Sequence, residues 1–67
     1  NAVTVFQQIV ARFPNSPDYW LGLAVACQKT GDANSALVAY RRAAQLSPDD
    51  PQVTLFINQQ IQALQAI

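Results

Sequence analysis

The sequence contains no histidine, no glutamate and no methionine, and only one cysteine and two glycines. These absences remove most of the chemistry a chain of this size could carry. Without histidine and glutamate, a catalytic triad, a cysteine–histidine pair or a carboxylate–histidine metal site cannot be assembled in its usual form. Gly22 and Gly31 stand alone, so no glycine-rich loop exists to cradle a phosphate. Cys27 has no second thiol to pair with, which excludes an internal disulfide. Lying in an apolar helical stripe, it is expected to be a small buried side chain. No catalytic residue, metal ligand or cofactor is expected, and the chain is not expected to be an enzyme.

Charge is scarce as well. Charged residues make up 12% of the chain, and four basic residues balance four aspartates to a net charge of zero. The electropositive footprint of a nucleic-acid binder is missing. Arg41 and Arg42 are the one adjacent basic pair and read as a solvated helix face. Asp49 and Asp50 are adjacent in a turn, where capping explains Asp50 better than acid–base chemistry does. The longest apolar run, Leu21 to Cys27, is far shorter than the roughly 20 residues needed to span a bilayer. Neither nucleic-acid binding nor direct membrane insertion is expected. No secretory leader is visible, and a soluble segment of the cytoplasm or periplasm is expected, with the compartment open.

Apolar residues are plentiful at 51% of the 67 positions, enough for one small domain. They recur at the 3-and-4 spacing of amphipathic helices. A first helix is predicted over about 1–13, with Ala2, Phe6, Ile9 and Phe13 on one face beside Val3 and Val10, ended by Pro14. Ser16 and Pro17 read as N-cap and first residue of a second helix to about residue 30. Its stripe is Trp20, Leu23, Ala24 and Cys27. Gly31 supplies a left-handed stop and Asp32 the next cap. A third helix over about 33–46 buries Ala36, Leu37, Tyr40, Ala43 and Ala44. Asp50-Pro51 repeats the cap, and a fourth helix over about 51–66 turns Val53, Ile57, Ile61 and Leu64 inward. Turns of two to four residues make successive helices antiparallel. The fold class is all-α.

A shift of 34 residues overlays much of the chain on itself. Ala2 falls on Ala36, Phe6 on Tyr40, Ile9 on Ala43, Pro14 on Pro48 and Pro17 on Pro51. Leu23 falls on Ile57 and Cys27 on Ile61. A period of this length marks stacked helical repeats, each burying its apolar face on its neighbours.

Residues 17–50 carry Trp20, Leu23-Ala24, Cys27, Gly31, Ala36, Tyr40, Ala43 and Pro48, and this stretch resembles one complete tetratricopeptide repeat. Ala24 stands for the usual Gly, Cys27 for Tyr and Tyr40 for Phe, each keeping a small or aromatic character. Residues 1–16 resemble the second half of a preceding repeat. Residues 51–67 resemble the first half of a following one or a capping helix, with Thr54 for Trp and Asn58 for Gly. The resemblance implies antiparallel helix pairs of a right-handed solenoid. A narrower likeness, carried by Leu46-Ser47-Pro48 and the closing helix, is to the last repeats of bacterial pilus-biogenesis and secretion accessory proteins.

The resemblance also implies a function, a scaffold or adaptor that binds a protein or peptide partner in a concave groove. By position that groove presents Asp18, Leu21, Gly22, Val25, Gln28 and Lys29 from the second helix, and Gln52, Leu55, Gln59, Gln62 and Ala63 from the fourth. It is an apolar strip with amide rims, suited to an extended or helical peptide. Leu21 and Val25 stand where chaperone-binding members place Lys and Asn, which argues against capture of a terminal carboxylate. Gly22 reads either as bare backbone on the groove floor or as a close packing point, and Gly22→Ala is expected to stabilise the helix. The alternative function is a structural end cap or self-association unit of a longer array, in a bacterial envelope assembly on the narrower likeness. Val3 and Val10 at one end, with Phe56 and Ile67 at the other, would form its interface, and part of Val3, Phe6 and Val10 is expected to be exposed.

Overall fold

The computed structural model describes residues 1–65. Four helices follow one another: α1 (Ala2–Arg12), α2 (Pro17–Lys29), α3 (Ala33–Gln45) and α4 (Pro51–Gln65). No strand occurs among the described residues. The predicted helices are all present and within about one residue of their expected ends, the residual difference lying in the caps. Ala66 and Ile67, counted in the fourth helix and in the end-face interface respectively, lie outside the described residues.

Local chemistry explains each boundary. The Asn1 side chain accepts from Thr4 N at 2.9 Å, closing the first turn of α1. Ser16 occupies the N-cap of α2 in extended backbone, yet its hydroxyl caps nothing. Pro17 carries no N–H there, and the Ser16 carbonyl starts the ladder by accepting from Trp20 N at 3.4 Å. Gly31, at φ +86°, ends α2 as expected. Its N–H reaches Gln28 O at 3.1 Å and the Asp32 N–H reaches Cys27 O at 3.0 Å, the paired bonds of a Schellman stop. Asp32 then accepts from Ser35 N at 3.1 Å, and Asp50 accepts from Gln52 N at 2.9 Å. After α3 the left-handed position falls to Ser47, at φ 56°, without a glycine.

The core lies where α2 packs on α3, flanked by α1 on one side and α4 on the other. It is built of small residues: Ala24, Ala36, Ala39 and Ala43 are essentially sealed from solvent, with Leu23, Ala26 and Cys27 nearly so. Tyr40 and Ile57 are the two large side chains sealed among them. Ala39 and Ala26 extend the buried faces beyond the expected stripes, while Leu37 and Ala44 are half-buried.

Two expectations for α1 are corrected. Val10 is buried in the core rather than exposed at the end, because Val3, Phe6 and Val10 form the seam that α2 covers. Phe13, expected on the apolar face, is 54% exposed; the helix has already ended there, and its ring centroid lies 5.7 Å from that of Tyr19.

Two measurements follow. Ser47→Gly removes a left-handed strain of about 1–2 kcal/mol while adding about 0.5–1 kcal/mol of unfolded-chain freedom. A net stabilisation of about 0.5–1 kcal/mol is expected from urea unfolding. The hydrogen bonds from Ser35 hold the Asp32 carboxyl below its ordinary value of 3.8. A depressed folded value means the cap contributes fully above the unfolded value and fades as pH falls through the folded one. Urea midpoints should therefore drop on acidification below about pH 4, and Asp32→Asn should remove that component.

Candidate functional site

The residues expected to line a groove sit on α2 and α4, and two observations place these helices side by side. Asp18 of α2 and Val53 of α4 line one depression with Pro17, Pro48, Asp49 and Asp50. Further along, Gln28 Nε2 donates to Gln60 Oε1 at 3.0 Å. Both contacts join residues some 32–35 apart, so α2 and α4 run in the same direction.

Between these points Leu21 and Val25 are half-buried and pack against the core. Leu55 is 58% exposed and Phe56 40% exposed. Asp18, Gln28, Lys29, Gln52, Gln59, Gln62 and Ala63 are exposed. The expected strip would draw its apolar surface from half-buried Leu21 and Val25 on α2 and from exposed Leu55 and Phe56 on α4, with exposed amides at Gln28, Gln52, Gln59 and Gln62.

Two of its expected members have other tasks. Gly22 is no bare floor. A Cβ there would stand within 2.4 Å of Phe6 Cε1 and 2.7 Å of Phe6 Cζ, so the aromatic ring of α1 fills the space. In the 34-residue overlay Phe6 corresponds to Tyr40 and Gly22 to Phe56. At the second joint, accordingly, the Tyr40 and Phe56 rings meet edge-on at 6.2 Å. Gln28 uses both ends of its amide within the chain. Its Oε1 accepts from the Tyr40 hydroxyl at 2.7 Å while its Nε2 reaches Gln60. Three helices are tied by this relay, and burial pushes the Tyr40 phenol above its ordinary value.

A second depression has no counterpart among the residues expected from the sequence. It opens between α1 and α3 over α2, about 310 Å³ in volume, and is lined by Gln7, Trp20, Leu23, Cys27, Asn34, Ser35, Val38 and Ala39. Trp20, assigned to the core, is half-buried on its wall; its Nε1 donates to Pro14 O at 2.8 Å and the Arg42 guanidinium lies 6.0 Å from its ring. Small residues at 35 and 39, which thin the wall of α3, were the available signal. Cys27 beneath is buried, and both its burial and the negative charge of Asp32 push the thiol pKa up, away from the reactive thiolate.

The tetratricopeptide-repeat family model matches residues 1–66, and the chain belongs to that family. Its members are non-catalytic repeat modules that generally serve protein–protein interaction. Neither a curated protein nor a solved structure matches the chain. The family match lends nothing to the narrower likeness to bacterial pilus and secretion proteins. No cluster of metal-ligating side chains occurs among the described residues, and no helix among them is long and apolar enough to cross a membrane.

The position of Phe6 reverses the expected effect of Gly22→Ala. Overpacking costs about 1–3 kcal/mol, against about 1 kcal/mol of helix propensity gained. A net destabilisation on the order of 1 kcal/mol is expected, turning to a gain in a Phe6→Leu background. Thermal unfolding of the four chains of that double-mutant cycle reads it directly.

Proposed function

We propose that this chain is a scaffold or adaptor module that binds a peptide or helix of a protein partner along the strip between α2 and α4. Residues 17–50 act as the complete repeat, with 1–16 and 51–67 as flanking halves. The observation that supports the reading is the apolar surface left open on these two helices: Leu55 of α4 is 58% exposed, and Leu21 and Val25 of α2 are only half-buried. An amphipathic segment laid there buries apolar anchors, while Gln59 and Gln62 bond its backbone. Asp18 stands at one end and Lys29 at the other, matching a ligand polarised in the opposite sense. With Gln28 engaged in the relay and Gly22 covered by Phe6, the working residues reduce to Asp18, Leu21, Val25, Lys29, Leu55, Gln59 and Gln62.

A second reading has one observation in its favour. Asn58 is exposed where the overlay places Ala24, which is sealed in the core. A polar residue at that position suits α4 as a closing helix, with a structural role for the segment.

Peptides selected from a random display library on the immobilised chain test the leading reading. Amide shifts on titration should concentrate at Leu21, Val25, Leu55 and Gln59, and Leu55→Asp should weaken binding at least tenfold, about 1.4 kcal/mol. Shifts confined to Asn34 and Val38, or affinity indifferent to Leu55, would remove the strip from consideration.

A further inference from the structure

All eight charged side chains of this protein lie between Arg12 and Asp50. The fifteen residues of α4 carry none. Its outward arc is Gln52, Leu55, Phe56, Gln59, Gln62 and Ala63, all exposed and all apolar or amide. Surfaces of folded chains ordinarily resist self-pairing through charge. Here that resistance is absent along one continuous face that also exposes Leu55 and Phe56.

We propose that the α4 arc is a homodimer interface, in which α4 pairs antiparallel with α4 of a second copy about a two-fold axis through Gln59. The residue sizes support this occupant. An antiparallel pairing centred on Gln59 sets Leu55 against Ala63 of the second copy and Phe56 against Gln62 of the second copy. Each large side chain thus meets a smaller or more pliant one, and both Gln59 amides meet at the axis, where each offers a donor and an acceptor to the other. No charge is desolvated and no like charges are apposed, a condition a face bearing one sign of charge cannot meet against itself.

A single-helix seam buries less than the roughly 1,200 Å² of a standard interface. The dimer is accordingly reversible, its population rising with protein concentration. This inference stands apart from the groove reading and competes with it, since the dimer covers the α4 wall. Peptide occupancy and dimerisation would then be mutually exclusive.

Sedimentation equilibrium of the 67-residue chain tests the proposal, using Gln59→Glu and Gln59→Lys, both at an exposed position. Wild type should show concentration-dependent dimerisation. Each variant alone should associate at least tenfold more weakly, because like charges meet at the axis. An equimolar mixture of the two should recover association to wild-type strength or better. Wild type remaining monomeric at several hundred micromolar would overturn the proposal. So would variants that dimerise like wild type, or a mixture no stronger than its components, either of which places any dimer on another face. Circular dichroism melts of the variants separate loss of pairing from loss of fold. The groove reading fails independently, through Leu21 and Val25 on α2, which the dimer does not use.

Discussion

Everything in this molecule depends on how closely α2 and α3 approach. The approach is possible because the facing positions are Ala24, Cys27, Ala36, Ala39 and Ala43, side chains that add almost no thickness between two backbones. Once the pair is formed, only limited depth remains for large residues, and Tyr40 and Ile57 take it. α1 and α4 are then placed by what those residues offer. Phe6 settles over the missing side chain of Gly22, and Phe56 settles beside the Tyr40 ring. A core of alanines contributes little transfer free energy per residue, so stability rests on dense packing along the whole length of the helices.

The two joints show how one sequence period accommodates different geometries. At the first joint an aromatic ring meets glycine, and the backbone of α2 comes within reach of the ring. At the second, an aromatic ring meets an aromatic ring and one edge of Phe56 is left to solvent. Phe56 thus stays 40% exposed next in sequence to Leu55, which is 58% exposed. Exposure there is a direct result of packing two large residues where the other joint packs one.

Much of this arrangement is legible in the sequence. Helix ends are written in local chemistry: Gly31 before Asp32, and Ser16-Pro17 and Asp50-Pro51. The 34-residue overlay gives the order of packing. What escapes is decided by three-dimensional choice among equivalent local options. Phe13 continues the apolar spacing of Phe6 and Ile9, but α1 ends at Arg12 and Phe13 is left 54% exposed. Gly22 reads the same whether a ligand or Phe6 lies above it, since sequence spacing does not tell which helix fills a gap. Gln28 looks like a groove residue because its position is outward; its amide is long enough to fold back onto Tyr40 and Gln60. Trp20 matches a core position, yet its indole N–H needs an acceptor and finds one at the rim, on Pro14 O.

The Gln28 relay has a consequence for the conditions under which the molecule keeps its shape. A phenol and two carboxamides hold three helices together, and none of these groups changes its charge between acid and moderately alkaline solution. Neutral dipoles are also little affected by dissolved ions, whose screening acts on net charge. The hydrogen bonds that join α2, α3 and α4 at Gln28 are thereby little affected by ionic strength or by swings in proton concentration, while the charged ends of the helices remain free to respond to both.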